Sequence, residues 1–160
     1  DNSLPKEVVY CGGLNLTSPS TKEEITAGKL VLSPTRTYAP IIAKILKQYR
    51  KKIDGMIHCS GGAQTKVLHF LNDGCKVIKD NLFPIPPLFE MIQQQSKTEW
   101  KEMYKVFNMG HRMEIYTDEQ TAKEIIKISQ EFGVEAQIVG RVEEGEKSVE
   151  IHSPYGKFTY

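Results

Sequence analysis

Apolar residues recur at helical spacing in several parts of the chain. Between residues 38 and 52, isoleucine, leucine and tyrosine fall on one stripe, lysine and glutamine lie largely opposite, and Pro40 suits a first helical turn. This pattern predicts an amphipathic helix whose apolar face packs against a core. Similar patterns predict helices at 63–71, 88–92, 98–107 and 118–132, the last with a capping box formed by Thr117 and Gln120 and a C-terminal cap at Gly133.

Shorter runs of apolar or alternating residues predict β-strands separated by turn residues. In the strand expected at 111–116, Met113 and Ile115 should lie on one side. Strands alternate with helices in the middle of the chain and follow one another closely at its end. We therefore expect an α+β fold, with a mixed β-sheet covered by helices in three α/β/α layers. The predicted strands are 55–59, 75–79, 111–116, 134–143, 148–152 and 157–160, and residues 1–30 form a lead-in with little pattern apart from a short strand at Val8–Tyr10.

Length and composition indicate one domain. A chain of 160 residues can bury a core without disulfides. Its net charge of +1 gives no electrostatic footprint for nucleic acid, and the absence of a signal peptide or long apolar run argues against a membrane partner. Cys11, Cys59 and Cys75 are odd in number and widely spaced, which argues against a disulfide framework or zinc site and favours a reducing, cytoplasmic location.

No complete catalytic set can be read from the sequence. Ser60 lies two residues from His58, and strand alternation makes it hard to couple them in a Ser–His–acid triad. The four histidines lack a metal-binding spacing, and neither a Walker sequence nor a Gly-x-Gly-x-x-Gly motif is present. We therefore assign no catalytic residue and expect no metal site.

A Ser-Gly-Gly sequence between a predicted strand and a predicted helix is a candidate anion site. Unpaired amides at the start of a helix carry partial positive charge, and glycines let a phosphate oxygen approach the backbone closely. Ser60, Gly61 and Gly62 would supply these donors. Such a junction is more often a tight turn than a ligand site, and the turn remains open as the structural alternative.

Two further segments are candidates for the same polar site. Thr35 and Arg36 offer a hydroxyl and a guanidinium that can pair with a phosphate or carboxylate through two hydrogen bonds. Asn108 and Gly110 offer an amide and a flexible turn before a strand. A buried ion pair at Arg36 and a turn or capping role for Asn108 remain open as structural alternatives.

Three ordered motifs resemble a known family. Residues 33–38 (Ser-Pro-Thr-Arg-Thr-Tyr), 55–62 (Gly-Met-Ile-His-Cys-Ser-Gly-Gly) and 102–110 (Glu-Met-Tyr-Lys-Val-Phe-Asn-Met-Gly) each resemble a segment of the C-terminal domain of aminoimidazole ribonucleotide synthetase, also called phosphoribosylformylglycinamidine cyclo-ligase. The Pro-Ile-Pro-Pro-Leu-Phe run at 84–89 matches as well. The resemblance covers roughly residues 30–145.

The chain also departs from the family pattern, as a divergent branch would. Ala63 stands where the family has a third glycine, and residues 64–70 replace the usual Leu-x-Glu-Asn-x-x-Arg. His111 and Arg112 follow Asn-Met-Gly where small or apolar residues are commoner. The exchanges at Gln64 and Lys66 leave open which ligand contacts follow the loop.

The resemblance implies a step of de novo purine synthesis. ATP would activate the formyl oxygen of formylglycinamidine ribonucleotide, a nitrogen would attack, and loss of phosphate would close the imidazole ring with release of ADP. ATP and magnesium would be held mainly by an N-terminal domain, which also forms the main contact of a homodimer. The implied substrate- or phosphate-binding residues are Thr35, Arg36, His58, Ser60, Gly61, Gly62, Asn108 and Gly110.

Nothing in the sequence resembles the family's N-terminal half. Residues 1–160 are therefore expected to be a C-terminal domain whose natural partner is its own N-terminal domain, without activity or a bound cofactor when isolated; a chain beginning at Asp1 is compatible with this. One alternative is another member of the same ATP-binding superfamily, of the selenophosphate synthetase, thiamine-phosphate kinase, hydrogenase-maturation or formylglycinamidine synthase type. The other is a non-catalytic binding module.

Overall fold

Five α-helices and six strands make up the part of the chain that the computed structural model describes, which is residues 3, 5, 12–20, 25–34 and 36–160. Two short 3-10 segments, Arg50–Lys52 and Ala63–His69, accompany the regular elements. The α-helices are α1 (Ala27–Val31), α2 (Ala39–Tyr49), α3 (Pro87–Ser96), α4 (Trp100–Val106) and α5 (Glu119–Glu131). The strands are β1 (Ile53–His58), β2 (Cys75–Lys79), β3 (Met113–Thr117), β4 (Gly140–Glu144), β5 (Ser148–Ser153) and β6 (Gly156–Thr159).

The strands form two separate sheets. One has four strands in the order β4-β2-β5-β6, with β2 and β5 parallel and the outer pairs antiparallel. The other is the antiparallel pair of β1 and β3. The α+β class and the mixed sheet are as expected from the sequence, but the strand pattern does not reveal this division into two sheets.

Each sheet faces its own hydrophobic cluster. The larger cluster lies between the four-stranded sheet, α4 and the 3-10 segment Ala63–His69. It includes the fully buried Met103, Val149 and Ile151. The smaller one lies between α2 and α5 and contains Ile45 and Ile128. Strand β1 contacts both clusters, since Ile57 belongs to the first and Ile53 packs against the second. The loop that follows β1 therefore leaves a strand that packs against both clusters.

Helices α2 and α5 confirm the helical periodicity read from the sequence, but the capping box is wrong. Asp118 is the N-cap of α5, and its carboxylate accepts from the Thr121 amide at 2.9 Å. The Thr117 hydroxyl instead donates to the Lys52 carbonyl at 2.6 Å. Gly133 follows the helix at φ +65°, as expected for a C-terminal glycine. No helix in the described part of the chain is both long and apolar enough to span a bilayer.

Three further expectations need correction. The helix at 63–71 is a 3-10 segment that ends at His69, and the strand at 134–143 is confined to β4, beginning at Gly140. The strand at 111–116 is β3, which begins at Met113 and ends at Thr117. Its buried residue is Glu114, which is hydrogen-bonded to His111 and Tyr116, while Met113 and Ile115 are half-buried. The strand predicted at Val8–Tyr10 lies outside the described residues.

Candidate functional site

The Ser60–Gly62 loop leaves β1 as an exposed turn with unused donors. The Cys59 amide is anchored to the Arg112 carbonyl at 2.7 Å, which holds the base of the loop on the start of β3. Gly62 has φ +85°, a conformation that favours glycine. Among the described residues, the amides of Gly61 and Gly62 donate no hydrogen bond. Both amides therefore remain available for an acceptor outside the chain.

The backbone stays left-handed for one residue beyond the glycines. Ala63 has φ +39° and is buried, at the position where the sequence resemblance places a third glycine. The segment that follows is a 3-10 helix of seven residues. Because this segment is short and irregular in comparison with an α-helix, we attribute little of any anion attraction to a helix dipole and more to individual donors.

Lys66 adds a cation to this loop, and sequence reasoning did not assign it to the site. Its Nζ donates to the Ser60 hydroxyl at 2.9 Å. The tight 3-10 turn brings the Lys66 backbone back over Gly62, where a Cβ built on the glycine would lie 3.6 Å from the Lys66 Cα. In the sequence, the signal for this role was the position of Lys66 four residues after Gly62. A hydroxyl, an ammonium and two free amides therefore lie on one exposed loop.

The Asn108–Gly110 turn lies next to this loop and is tied to it by Gln64. The Asn108 side chain accepts from the Gly110 amide at 3.1 Å, which confirms a turn role for Asn108. Met109 has φ +51° and is buried, and Gly110 has φ +114°. The Gln64 side-chain amide donates to the Asn108 carbonyl. The loop and the turn, which the sequence treated as two candidate segments, are therefore linked directly.

A buried ionic network lies beneath the loop. Lys79, at the end of β2, donates to the Gln64 carbonyl at 2.7 Å and to its side-chain oxygen at 3.2 Å, and pairs with the Glu114 carboxylate. All three residues are buried, with Gln64 0% and Lys79 1% exposed. Every buried side-chain nitrogen and oxygen in the described residues has a hydrogen-bond partner. The charges are thus paired and satisfied, as buried charges must be.

The remaining partners of Glu114 complete the network. His111 Nε2 lies 2.7 Å from one carboxylate oxygen, and the Tyr116 hydroxyl donates to the other at 2.7 Å. Burial alone would raise the pKa of the Glu114 carboxyl, but the His111 hydrogen bond and the Lys79 charge outweigh it and lower that pKa to about 2. Burial, reinforced by the Glu114 charge, raises the pKa of the Cys59 thiol to about 12.

Cys59, His111 and Glu114 place three potential metal-ligand atoms within 4.8 Å of one another. His111 and Glu114 are already hydrogen-bonded to each other, and the Lys79 ammonium pairs with the same carboxylate oxygen. A protonated thiol is also a poor ligand. These three side chains are therefore better suited to a hydrogen-bonded network around the Glu114 carboxylate than to binding a divalent cation.

Arg36 lies in a different setting from the loop. It is exposed and borders a groove of about 280 Å³ with Pro40 of α2 and with Phe132 and Val134 after α5. Among the described residues it makes no hydrogen bond or ion pair, so the alternative of a buried ion pair at Arg36 is wrong. Thr35 lies outside the described residues. A role in ligand binding for either residue stays a prediction.

The last of the predicted site residues is the histidine that ends β1. His58 is exposed and immediately precedes the loop. Five of the predicted residues, His58, Ser60, Gly61, Gly62 and Asn108, therefore come from two neighbouring segments joined through Gln64, and Gly110 completes the second of them. Contact of these residues with a ligand stays a prediction.

Known proteins with similar sequences are cyclo-ligases. The protein named phosphoribosylformylglycinamidine cyclo-ligase from Alkaliphilus metalliredigens is 33% identical over 126 residues, which are 78% of this chain and 36% of that protein. The protein of the same name from Bacillus thuringiensis is 33% identical over 142 residues, covering 88% of this chain and 40% of that protein. The chain thus spans about two fifths of the length of these curated relatives.

The fold is also similar to that of a solved structure. The hydrogenase maturation protein HypE of E. coli superposes with a TM-score of 0.57 and 19% identity, over 78% of this chain and 39% of that chain. At this identity the likeness shows the fold alone. Residues 9–153 match the family described as AIR synthase related protein, C-terminal domain. Because that match covers most of the sequence and agrees with the loop, the turn and the fold, the chain belongs to this family.

Proposed function

We propose that the chain is the C-terminal domain of a phosphoribosylformylglycinamidine cyclo-ligase. The parent protein would close formylglycinamidine ribonucleotide to aminoimidazole ribonucleotide, with ATP converted to ADP and phosphate. The names of the curated relatives support this reaction over others of the superfamily. The structural observation that carries the proposal is the pair of free Gly61 and Gly62 amides beside the Lys66 ammonium.

The proposed role of the loop is to hold a phosphate group. The two free backbone amides and the Lys66 Nζ are donors, and the Ser60 hydroxyl can join them by giving up its 3.4 Å hydrogen bond to the His58 carbonyl. A phosphate is the kind of group that accepts several such bonds at once. Because the loop is exposed, the group can belong to a substrate held mainly by another domain. Both the substrate and the nucleotide of this reaction carry phosphates, and the loop alone does not choose between them.

The preceding domain and a second subunit are part of this proposal. ATP and magnesium would bind mainly outside this chain, and the parent protein would be a homodimer in the cytoplasm. The chain would then act as one wall of a cleft and would not turn over by itself. Detectable cyclisation by the purified 160-residue chain would contradict this part of the proposal.

The test is an assay of the parent protein, encoded together with the sequence that precedes this chain. We expect ATP-dependent conversion of formylglycinamidine ribonucleotide, and a raised KM for that substrate in Ser60→Ala and Arg36→Ala variants that remain folded. Lys123→Gln, a change on the exposed face of α5, is the matched control. A folded parent that hydrolyses ATP only with selenide or thiamine phosphate would overturn the proposal in favour of another superfamily member.

A further inference from the structure

We infer that Gln64 and Lys79 are positioning residues that fix the Ser60–Gly62 loop against the Asn108–Gly110 turn. Neither residue reaches the exposed loop surface, since both are essentially fully buried. Their effect must therefore pass through the backbone they hold. The inference deepens the proposed function and rests on it only where it concerns affinity for a phosphate group.

Gln64 connects the two segments with both ends of its side-chain amide. The nitrogen donates to the Asn108 carbonyl, and the oxygen accepts from Lys79. Gln64 follows Ala63, whose left-handed backbone directs the chain out of the loop and into the 3-10 segment. A side chain fixed at both ends immediately after this bend limits the conformations that the loop can adopt.

Lys79 fixes the same point through the backbone. Its ammonium donates to the Gln64 carbonyl at 2.7 Å, and it has its own counter-ion in Glu114. Lys79 lies on β2, which pairs with both β4 and β5 in the four-stranded sheet. The loop is therefore anchored to a central strand, which cannot shift without breaking both pairings.

Glu114 supplies the negative charge that the buried Lys79 ammonium requires, and His111 supplies a hydrogen bond to that carboxylate. An ammonium buried without a carboxylate would be strongly destabilising, and Glu114 supplies the carboxylate from β3. His111 then orients the carboxylate from the end of the Asn108–Gly110 turn. Two of the positions where this chain departs from the family pattern, Gln64 and His111, thus meet through Lys79 and Glu114 in one network.

The proposed consequence concerns geometry rather than direct contact. With the network intact, the Gly61 and Gly62 amides and the Lys66 ammonium are held in one arrangement before an anion arrives, which lowers the ordering cost of binding. Without the network, the loop samples several arrangements, of which only some can bind an anion. The apparent affinity for the anion then falls in proportion to that binding-competent fraction.

The test uses Gln64→Met, which keeps the volume of the side chain but removes both of its hydrogen bonds and leaves the Lys79–Glu114 pair in place. In the wild-type chain the Ala63 and Thr65 amides are bonded to Ser60 and Gly62, and their hydrogen exchange reports local opening of the loop. We expect exchange at both amides to rise about tenfold in Gln64→Met, as loss of one or two buried hydrogen bonds implies. The Kd for inorganic phosphate should rise by a similar factor.

Ile128→Ala is the matched control, because it destabilises the chain from the other hydrophobic cluster. It should lower the unfolding midpoint yet leave exchange at Ala63 and Thr65 and phosphate affinity unchanged. Unchanged exchange at these two amides in Gln64→Met, or an equal rise in Ile128→Ala, would overturn the inference. If the wild-type chain binds no phosphate, the proposed anion site fails, while the exchange measurement still decides the positioning role.

Discussion

The ammonium of Lys79 and the carboxylate of Glu114 form a buried ion pair that joins the two sheets of this fold. Lys79 ends β2 in the four-stranded sheet, and Glu114 lies in β3 of the two-stranded sheet. Their side chains are only 2% and 4% exposed. The pair therefore ties together two halves of the structure directly beneath the Ser60–Gly62 loop.

Removing one member of this pair should destabilise the chain far more than removing both charges. Lys79→Met leaves the Glu114 carboxylate buried without its cation, and we expect a loss of about 3–5 kcal/mol in the free energy of unfolding. In Lys79→Met/Glu114→Gln the charge is gone as well, so most of that loss should be recovered. Urea denaturation of both variants measures the difference. Equal losses in the two variants would contradict the ion-pair account.

Stability should fall in acid because of Glu114. The pKa of this carboxyl is lowered to about 2 in the folded chain, compared with 4.5 for the ordinary group. Because the pKa is lowered in the folded state, the ionised carboxylate stabilises the fold fully above pH about 4.5. This stabilisation is lost as the pH falls towards 2. Half-buried acids with lowered pKa values, such as Glu143 and Glu150, contribute in the same direction.

Glu114→Gln isolates that contribution. The slope of unfolding free energy against pH between about 5 and 2 should be shallower in Glu114→Gln than in the wild-type chain, since one proton fewer is taken up on unfolding. Urea midpoints across this range provide the measurement. Parallel curves for the two proteins would show that the pKa of Glu114 is not lowered by folding.

Cys59 should be chemically inert in the folded chain. The thiol is 3% exposed, and burial beside Glu114 raises its pKa to about 12, so almost no thiolate is present at neutral pH. Iodoacetamide at pH 8 should label the half-buried Cys75 before Cys59, and Cys59 should react only in urea. Mass spectrometry of the labelled peptides measures the order. Rapid native labelling of Cys59 would mean that the network opens readily.

Gly140 should tolerate no side chain. A Cβ at this position would lie 1.9 Å from the Ile78 carbonyl oxygen and 2.9 Å from the Lys79 Cα, both backbone atoms of the paired strand. We expect Gly140→Ala to cost about 3 kcal/mol or more, at the upper end of overpacking effects. Gly61→Ala, where the added methyl meets nothing within 4 Å, should change the unfolding free energy by less than about 0.5 kcal/mol.

The order of the elements and much of their extent could be predicted from the sequence. Strand β2 has the expected bounds. The ends of α2 lie one and three residues from the predicted ends, and both ends of α5 lie one residue away, because the apolar periods of these helices are long and regular. The burial of Glu114 in β3 could not be predicted, because alternation placed Met113 and Ile115 on one side of the strand without indicating which side faces the interior. A carboxylate on the buried face is not expected unless its cation is known.

The site itself was predicted only in part. Ser60, Gly61 and Gly62 are recognisable because strand, glycine turn and helix follow one another in the chain. Gln64, Lys79, His111 and Glu114 have no such signal, since they come from separate segments and meet only through the pairing of β2 and β3 with their neighbours. For Lys66 the sequence showed only a departure from the family pattern, because its hydrogen bond to Ser60 depends on the 3-10 turn that follows the loop.

Lys66 should contribute to anion binding through charge. Lys66→Gln keeps a donor near Ser60 but removes the positive charge 2.9 Å from its hydroxyl, so affinity for phosphate should fall several-fold and depend less on salt. Lys123→Gln on α5 should leave the affinity unchanged. Isothermal titration at two salt concentrations compares the variants. An equal effect of both changes would indicate net charge rather than a site at the loop.

The most direct test of the phosphate-binding loop is an amide NMR titration of the 15N-labelled chain with inorganic phosphate. We predict saturable shifts concentrated at the Gly61 and Gly62 amides, which need several-fold more phosphate to saturate in Lys66→Gln and are unchanged in Lys123→Gln. Shifts that stay linear to high phosphate, or that saturate only around Arg36 while Gly61 and Gly62 do not move, would contradict the assignment of the anion site to this loop.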